Sequence, residues 1–243
     1  MALLEAKQIT KRFGGLVAVS SLDLNVDKGE ILGMIGPNGA GKTTAFNMIS
    51  GYYKPNEGEV LFKGENITGL RPDQICKKGL ARTFQVVKPF PHLSVLDNVM
   101  VGAYIHTNDA NESRKKAREI LDFMGMATMT EQLAGGLPIG LRKRLEIAKA
   151  LATEPEMLLL DEAMAGLRPK ETDEVIALVR RVSQYGVAVL LVEHVMRVIM
   201  SLANRIVVIH HGEKIAEGEP EAVVRDPAVI EAYLGEAEVN VKS

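Results

Sequence analysis

Short, almost unbroken apolar runs alternate with longer stretches of helical spacing along most of this chain. The clearest runs cover residues 31–35, 157–160, 187–192 and 205–209. Runs with so little polar alternation are those of strands buried on both faces, the habit of parallel sheets. Between about residues 93 and 151 the strand signal fades and helical spacing takes over, most plainly over 114–124. The alternation predicts an α/β fold with a largely parallel sheet, and the intervening stretch predicts a helical subdomain inserted into it. The division expected is a core over 1–92 and 152–222, an inserted helical unit over 93–151, and a helical tail over 223–243. Short helices are expected from Glu219 on, with Pro220 suited to a first turn.

Composition narrows this picture by exclusion. A chain of 243 residues, 47% apolar and 25% charged, buries an ordinary globular core. A net charge of -2 offers no electrostatic reason for nucleic acid or an anionic membrane as main partner. No run approaches the roughly 18 to 20 apolar residues of a spanning helix. Residues 1–7 also lack the basic-then-apolar order of a secretion signal. The expected place is the cytoplasm, with any membrane role exercised through a partner. Cys76 is the only cysteine, which excludes an internal disulfide and a Cys-rich zinc cage; it reads as a passive, partly buried thiol.

Chemistry enters at Gly36-Pro37-Asn38-Gly39-Ala40-Gly41-Lys42-Thr43, which fits G-x-x-x-x-G-K-[ST] between a buried strand and a helix expected over 44–50. Its glycines let backbone N–H groups close around phosphate oxygens, and the helix N-terminus adds positive dipole. Lys42 is suited to the β- and γ-phosphates and the Thr43 hydroxyl to Mg²⁺. After the run at 157–160 come Asp161, placed to hold Mg²⁺ through water, and Glu162, placed to orient or deprotonate an attacking water. His194 follows another buried run, at the sheet edge where parallel folds gather ligand groups. His210-His211 reads as a polar turn into Gly212, and Asn66-Ile67-Thr68 as an accidental glycosylation sequon.

In this order these elements resemble the ATPase subunit of an ABC transporter over essentially the whole chain. The resemblance implies a P-loop NTPase (RecA-like) parallel sheet with an antiparallel β portion and the inserted helical subdomain. It implies ATP as nucleotide and Mg²⁺ as metal. The nucleotide set is then Phe13, Val19, Gly36, Asn38, Gly39, Ala40, Gly41, Lys42, Thr43 and Thr44. Phe13 would stack on adenine with Val19 beside it, although an ordinary core role remains open for Phe13. Thr43, Asp161 and Gln85, in Arg82-Thr83-Phe84-Gln85, form the metal set, Gln85 also linking it to the membrane partner. Glu162 takes the part of the catalytic glutamate and His194 that of the switch histidine. Pro89-Phe90-Pro91-His92 offers a stiff apolar surface for a permease, with a simple Pro-rich loop as the other reading.

Within the family, Arg12-Phe13-Gly14-Gly15-Leu16, Leu145-Glu146-Ile147-Ala148, Ala165-Gly166-Leu167-Arg168-Pro169 and the end Ala232-Tyr233-Leu234-Gly235 resemble branched-chain amino-acid importers. Lipopolysaccharide-export ATPases share a similar tail. The partner signature, commonly Leu-Ser-Gly-Gly-Gln, is here Leu137-Pro138-Ile139-Gly140-Leu141. Leu137 and Gly140 keep the pattern and would face a partner's ATP. Pro138 removes a hydroxyl and an N–H, a contact to a charged group worth about 1.5 to 3 kcal/mol. Ala163, Arg168 and Val195 depart from the pattern as well. A head-to-tail pair follows, either a heterodimer with two unequal sites or a homodimer that tolerates the variant element. A P-loop kinase or GTPase would not explain Gln85, the helical insertion and His194 together. A soluble non-transport ABC protein usually carries coiled-coil insertions or tandem cassettes, for which 243 residues leave no room.

Overall fold

The computed structural model describes residues 2–83 and 88–240, with the backbone alone for 235–240. Two long strands open the chain, β1 (Leu4–Phe13) and β2 (Leu16–Val26). Then come β3 (Ile31–Ile35), α1 (Lys42–Ile49), β4 (Glu57–Phe62), β5 (Glu65–Asn66), α2 (Pro72–Lys77) and β6 (Leu80–Arg82). The helices α3 (Val95–Ala103), α4 (Ala110–Phe123) and α5 (Ile139–Leu151) follow, with two 3-10 turns before α5. The remainder is β7 (Met157–Asp161), α6 (Pro169–Gln184), β8 (Ala188–Val192), α7 (Met196–Leu202), β9 (Arg205–His210), β10 (Glu213–Gly218), α8 (Pro220–Val223) and α9 (Pro227–Asn240).

One sheet has the order β10-β9-β3-β8-β7-β6, parallel except for β10 against β9. The other, β2-β1-β4-β5, is antiparallel. The four apolar runs are β3, β7, β8 and β9, and every residue of the first three is buried. Their side chains alternate between two apolar clusters. Ile31, Leu158, Leu160, Val189 and Leu191 pack with the helices α3 to α7 on one face. Leu32, Met34, Met157, Leu159, Leu190 and Val192 pack on the other with α1 and the antiparallel sheet. Burial on both faces is why these strands carry no polar alternation.

Helix α1 begins two residues earlier than its spacing suggests, so Lys42 lies inside its first turn. The tail helix α9 is longer than the short helices expected after Glu219. Strands β1 and β2 escaped the periodicity reading for a physical reason. Their register shifts between Ala6 and Ile9, and Gln8 (φ 50°) and Ser21 (φ 45°) adopt left-handed backbone. Each irregularity moves the buried set by one residue, from Ala6 to Ile9 and from Val19 to Leu22, which erases the period of two.

Candidate active site

The carboxyl ends of β3, β7 and β8 deliver the expected chemistry to one edge of the parallel sheet. The turn after β3 carries Gly36, Asn38, Gly39, Ala40 and Gly41 into α1, and Gly41 caps that helix with φ 104°. A Cβ at Gly41 would lie 2.4 Å from the carbonyl oxygen of Ala18, so only glycine lets the loop cross β2 this closely. The turn between β9 and β10 braces the same loop, since Gly212 N–H donates to the Ala40 carbonyl oxygen (2.9 Å) and Ser20 N–H to that of Gly212 (2.9 Å). Lys42 is buried, and its Nζ donates to the carbonyl oxygens of Gly36 and Pro37 at 2.7 Å each.

A cleft of about 510 Å³ opens over this loop. Asn38, Gly39, Thr43, Thr44, Glu162 and His194 line it together, with Phe13 at its far side. Phe13 is 42% exposed, meets Tyr53 edge to face at 5.3 Å and has Lys11 Nζ over its ring at 5.4 Å. Val19 packs against the loop at Gly41. It is fully buried under the loop, because the register shift in β2 turns it inward, and Leu16, Val17 and Ala18 form the wall instead.

Glu162 follows β7 with φ 47°, a left-handed conformation rare for a residue with a side chain. Its N–H donates to the Val192 carbonyl oxygen (2.9 Å), and its carbonyl oxygen accepts Lys143 Nζ (2.8 Å). His194 Nε2 stands 2.9 Å from Glu162 Oε1, which joins the two expected catalytic side chains in one hydrogen bond. Asp161 is buried at the end of β7, and burial pushes its carboxyl up while the Arg82 guanidinium, 4.0 Å away, pulls it down. Arg82 is anchored by Asn47 Oδ1 (2.8 Å) and Ser50 Oγ (2.7 Å), and burial lowers it from the usual arginine range. Thr43 borders the cleft and also a second groove that Asn47, Arg82 and Asp161 line. Gln85 lies outside the described residues.

The signature element leads into α5. Leu137 is buried in the helical core, so its side chain does not point outward. Gly140 is buried too, and a Cβ there would meet Glu171 Oε1 at 2.6 Å. Pro138 is the N-cap residue of α5, without a side-chain cap. The amide it lacks therefore precedes the helix, and the first helical N–H groups, those of Ile139, Gly140 and Leu141, are untouched. The loss is the hydroxyl cap alone.

Arg82, Lys143, Glu193 and His211 belong to this region and received no role from the sequence. Glu193 stood beside His194 as an acidic residue directly after an apolar run, a usable signal. His211 is a turn residue by its sequence, and the turn between β9 and β10 brings it to the cleft. Cys76 is half-buried, and burial pushes its thiol up, away from nucleophilic character.

The family model described as ABC transporter matches residues 19–165. A second, for branched-chain amino acid ATP-binding cassette transporters, matches residues 213–239. The chain is 41% identical to the high-affinity branched-chain amino acid transport ATP-binding protein BraF of Pseudomonas aeruginosa, over 97% of its length and 98% of that protein. It is 39% identical, at the same coverage, to the LivG protein of Escherichia coli K12, which carries the same description. Its fold is similar to that of an ABC transporter cassette in its ADP conformation, with TM-score 0.89 and 32% identity over 97% of this chain and 99% of that one. A dimeric cassette in a post-hydrolysis state, bound to ADP and Pi, is similar with TM-score 0.80 and 28% identity, covering 89% and 98%.

Proposed function

The chain belongs to the ABC transporter family of ATP-binding cassettes and is an ATPase coupled to transport; we propose that what it powers is the import of branched-chain amino acids. The observation that carries the catalytic part is the Glu162–His194 hydrogen bond facing the phosphate loop across one cleft. Support for the substrate class comes from full-length likeness to relatives named for that transport and from the tail match at 213–239.

In this reading adenine stands on Phe13, bordered by Leu16 and Val17. The triphosphate lies along the loop amides from Asn38 to Thr44, at the positive end of α1. Lys42 exchanges its two carbonyl partners for β- and γ-phosphate oxygens, which bind an ammonium more strongly. The Thr43 hydroxyl and the Asp161 carboxylate form a hard oxygen set bordering one groove, which fits Mg²⁺, and Gln85 would complete it. Bound there, Mg²⁺ would offset charge on the β- and γ-phosphates. Glu162 orients the water that attacks the γ-phosphorus and draws off its proton. His194 holds Glu162 in place, and ADP and inorganic phosphate leave.

We place a second cassette head-to-tail against this one, so that the N–H groups opening α5 face its nucleotide. The asymmetry expected from Pro138 remains part of the proposal, reduced to the loss of one hydroxyl. A permease subunit would dock in the groove of about 720 Å³ lined by Tyr52, Arg82, Phe90 and Val101. Buried Asn98 stiffens that rim by bonding both the N–H (2.8 Å) and the carbonyl oxygen (3.0 Å) of Phe90. None of the described helices is long and apolar enough to cross a membrane. Docked on the permease, the protein would sit at the inner membrane face.

Reconstitution in vesicles with permease and solute-binding subunits of a branched-chain amino-acid importer tests this reading. ATP-dependent uptake of labelled leucine, isoleucine or valine, abolished by Lys42→Ala, is expected. Turnover stimulated only by another solute, or movement outward, would overturn the substrate assignment.

A further inference from the structure

The Glu162–His194 pair stands on a buried polar frame that the phosphate chemistry does not itself use. Glu193 precedes His194 directly, yet it is only 2% exposed. Its Oε1 accepts the backbone N–H of Met164 at 2.8 Å, within the loop from β7 to α6. The backbone N–H of His194, the next residue, pulls in the same direction on this carboxylate as that of Met164. Lys143 approaches from α5, is 6% exposed, and donates to the Glu162 carbonyl oxygen at 2.8 Å. The charge of Lys143 feels Glu193 first, then Glu162 and Asp161.

Such groups are expensive to bury, and a packed apolar pair generally serves a core better. Burial raises the Glu193 carboxyl to about 7 against the pull of Met164 and Lys143, and it lowers Lys143 from the usual lysine range. Core stability is therefore a poor reason for their presence. Glu162 supplies a better one. Its left-handed backbone is unfavourable and must be held from outside. Lys143 holds the carbonyl side of that peptide, while Glu193 holds the loop that follows it and, buried, anchors the chain one residue before His194.

We propose that Lys143 and Glu193 are positioning residues for ATP hydrolysis, setting the backbone on both sides of the Glu162–His194 hydrogen bond. This rests on the reading of Glu162 and His194 given above. Neither residue touches the nucleotide; each acts through the backbone that bears a catalytic side chain.

Kinetics of the full chain in its assembled transporter test the proposal, with Lys143→Met, Glu193→Gln, the double variant and Lys143→Arg. Lys143→Met should lower kcat by about ten- to fiftyfold, the scale of a lost charge-assisted hydrogen bond, with KM and ATP Kd within about twofold. Glu193→Gln keeps an acceptor for Met164 and should lose about three- to tenfold. The double variant should be no slower than Lys143→Met, since both changes undo one frame. Lys143→Arg should recover most of the rate. Lys143→Gln replaces Lys143→Met if the latter does not fold. Unchanged kcat with lowered Tm identifies a purely structural role and overturns the proposal, as do losses that multiply in the double variant. Glu162→Gln in the same assay separates the two readings. Turnover that survives Glu162→Gln breaks the catalytic assignment itself. Turnover lost there, but retained in Lys143→Met and Glu193→Gln, breaks only this proposal.

Discussion

The cleft over the phosphate loop and the N-terminus of α5 differ in how far each is finished within this chain. In the cleft and the frame beneath it the groups nearest the chemistry are held in fixed geometry: Lys42 on Gly36 and Pro37, Glu162 on Val192 and His194, Glu193 on Met164. At α5 the cap residue is Pro138, and Ile139 is exposed. The Nε of Arg142 is buried without a hydrogen-bond partner among the described residues. The cleft is preorganised by the sheet edge, whereas α5 offers backbone amides that only a second molecule would satisfy. Catalytic precision is thus expected to reside in the first region, and the second to act through closure.

That contrast can be broken most severely at Glu162. Glu162→Gln should cut steady-state turnover by about 10²- to 10⁴-fold while equilibrium ATP binding persists. A small loss would move the chemistry out of this cleft. His194→Ala, with Glu162 intact, should cost about ten- to a hundredfold in kcat, the scale of one hydrogen bond to a charged group. Next comes stability against pH. The Glu193 carboxyl is raised from 4.5 to about 7 in the folded protein, so the folded state binds that proton more tightly than the unfolded chain. Its contribution is present below 4.5 and lost as pH rises through about 7, by up to about 3 kcal/mol. Denaturation midpoints of wild type and Glu193→Gln should diverge accordingly across that window; parallel curves would place the proton elsewhere.

The α5 region should respond less. Gly140→Ala pushes Glu171 off the Arg168 N–H that it caps at 2.9 Å. A lost cap costs about 1 kcal/mol, so Tm should fall by about 2 to 4 °C. The smallest change should be a gain. Pro138→Ser restores a capping hydroxyl at φ -59° and ψ 160°, extended backbone that serine adopts freely. It should stabilise by about 0.5 to 1 kcal/mol, visible as a Tm rise of about 1 to 4 °C. If Pro138→Ser instead changed kcat as much as His194→Ala does, the distinction between the two regions would dissolve.

What could be read from the sequence follows the same division between local and distant determinants. The phosphate loop, Asp161, Glu162 and His194 were legible because each directly follows a buried apolar run at the edge of one sheet. Lys143 gave no such signal; Glu193 also follows such a run, but its role beside Lys143 depends on the order of the strands and the docking of α5. That Val19 lies under the loop was not legible, because the register of β2 shifts there. Leu137 and Gly140 fitted a pattern, but the pattern does not say that one enters the core and the other abuts Glu171. Arg82 lay inside a quoted motif, yet its anchoring by Asn47 and Ser50 depends on where α1 passes.

Strand β3 is flanked by β8 and β9, and the turn before β10 braces the loop that leaves it. During synthesis the phosphate loop therefore emerges from the ribosome long before the strands that surround it. Contacts so distant in sequence close slowly, and the exposed β3 edge meanwhile needs protection from wrong pairing. Nucleotide affinity in this protein becomes a late event of translation, acquired only once the chain has passed Gly212. Ribosome-bound intermediates halted before β9 should hold a complete P-loop sequence and fail to retain ATP.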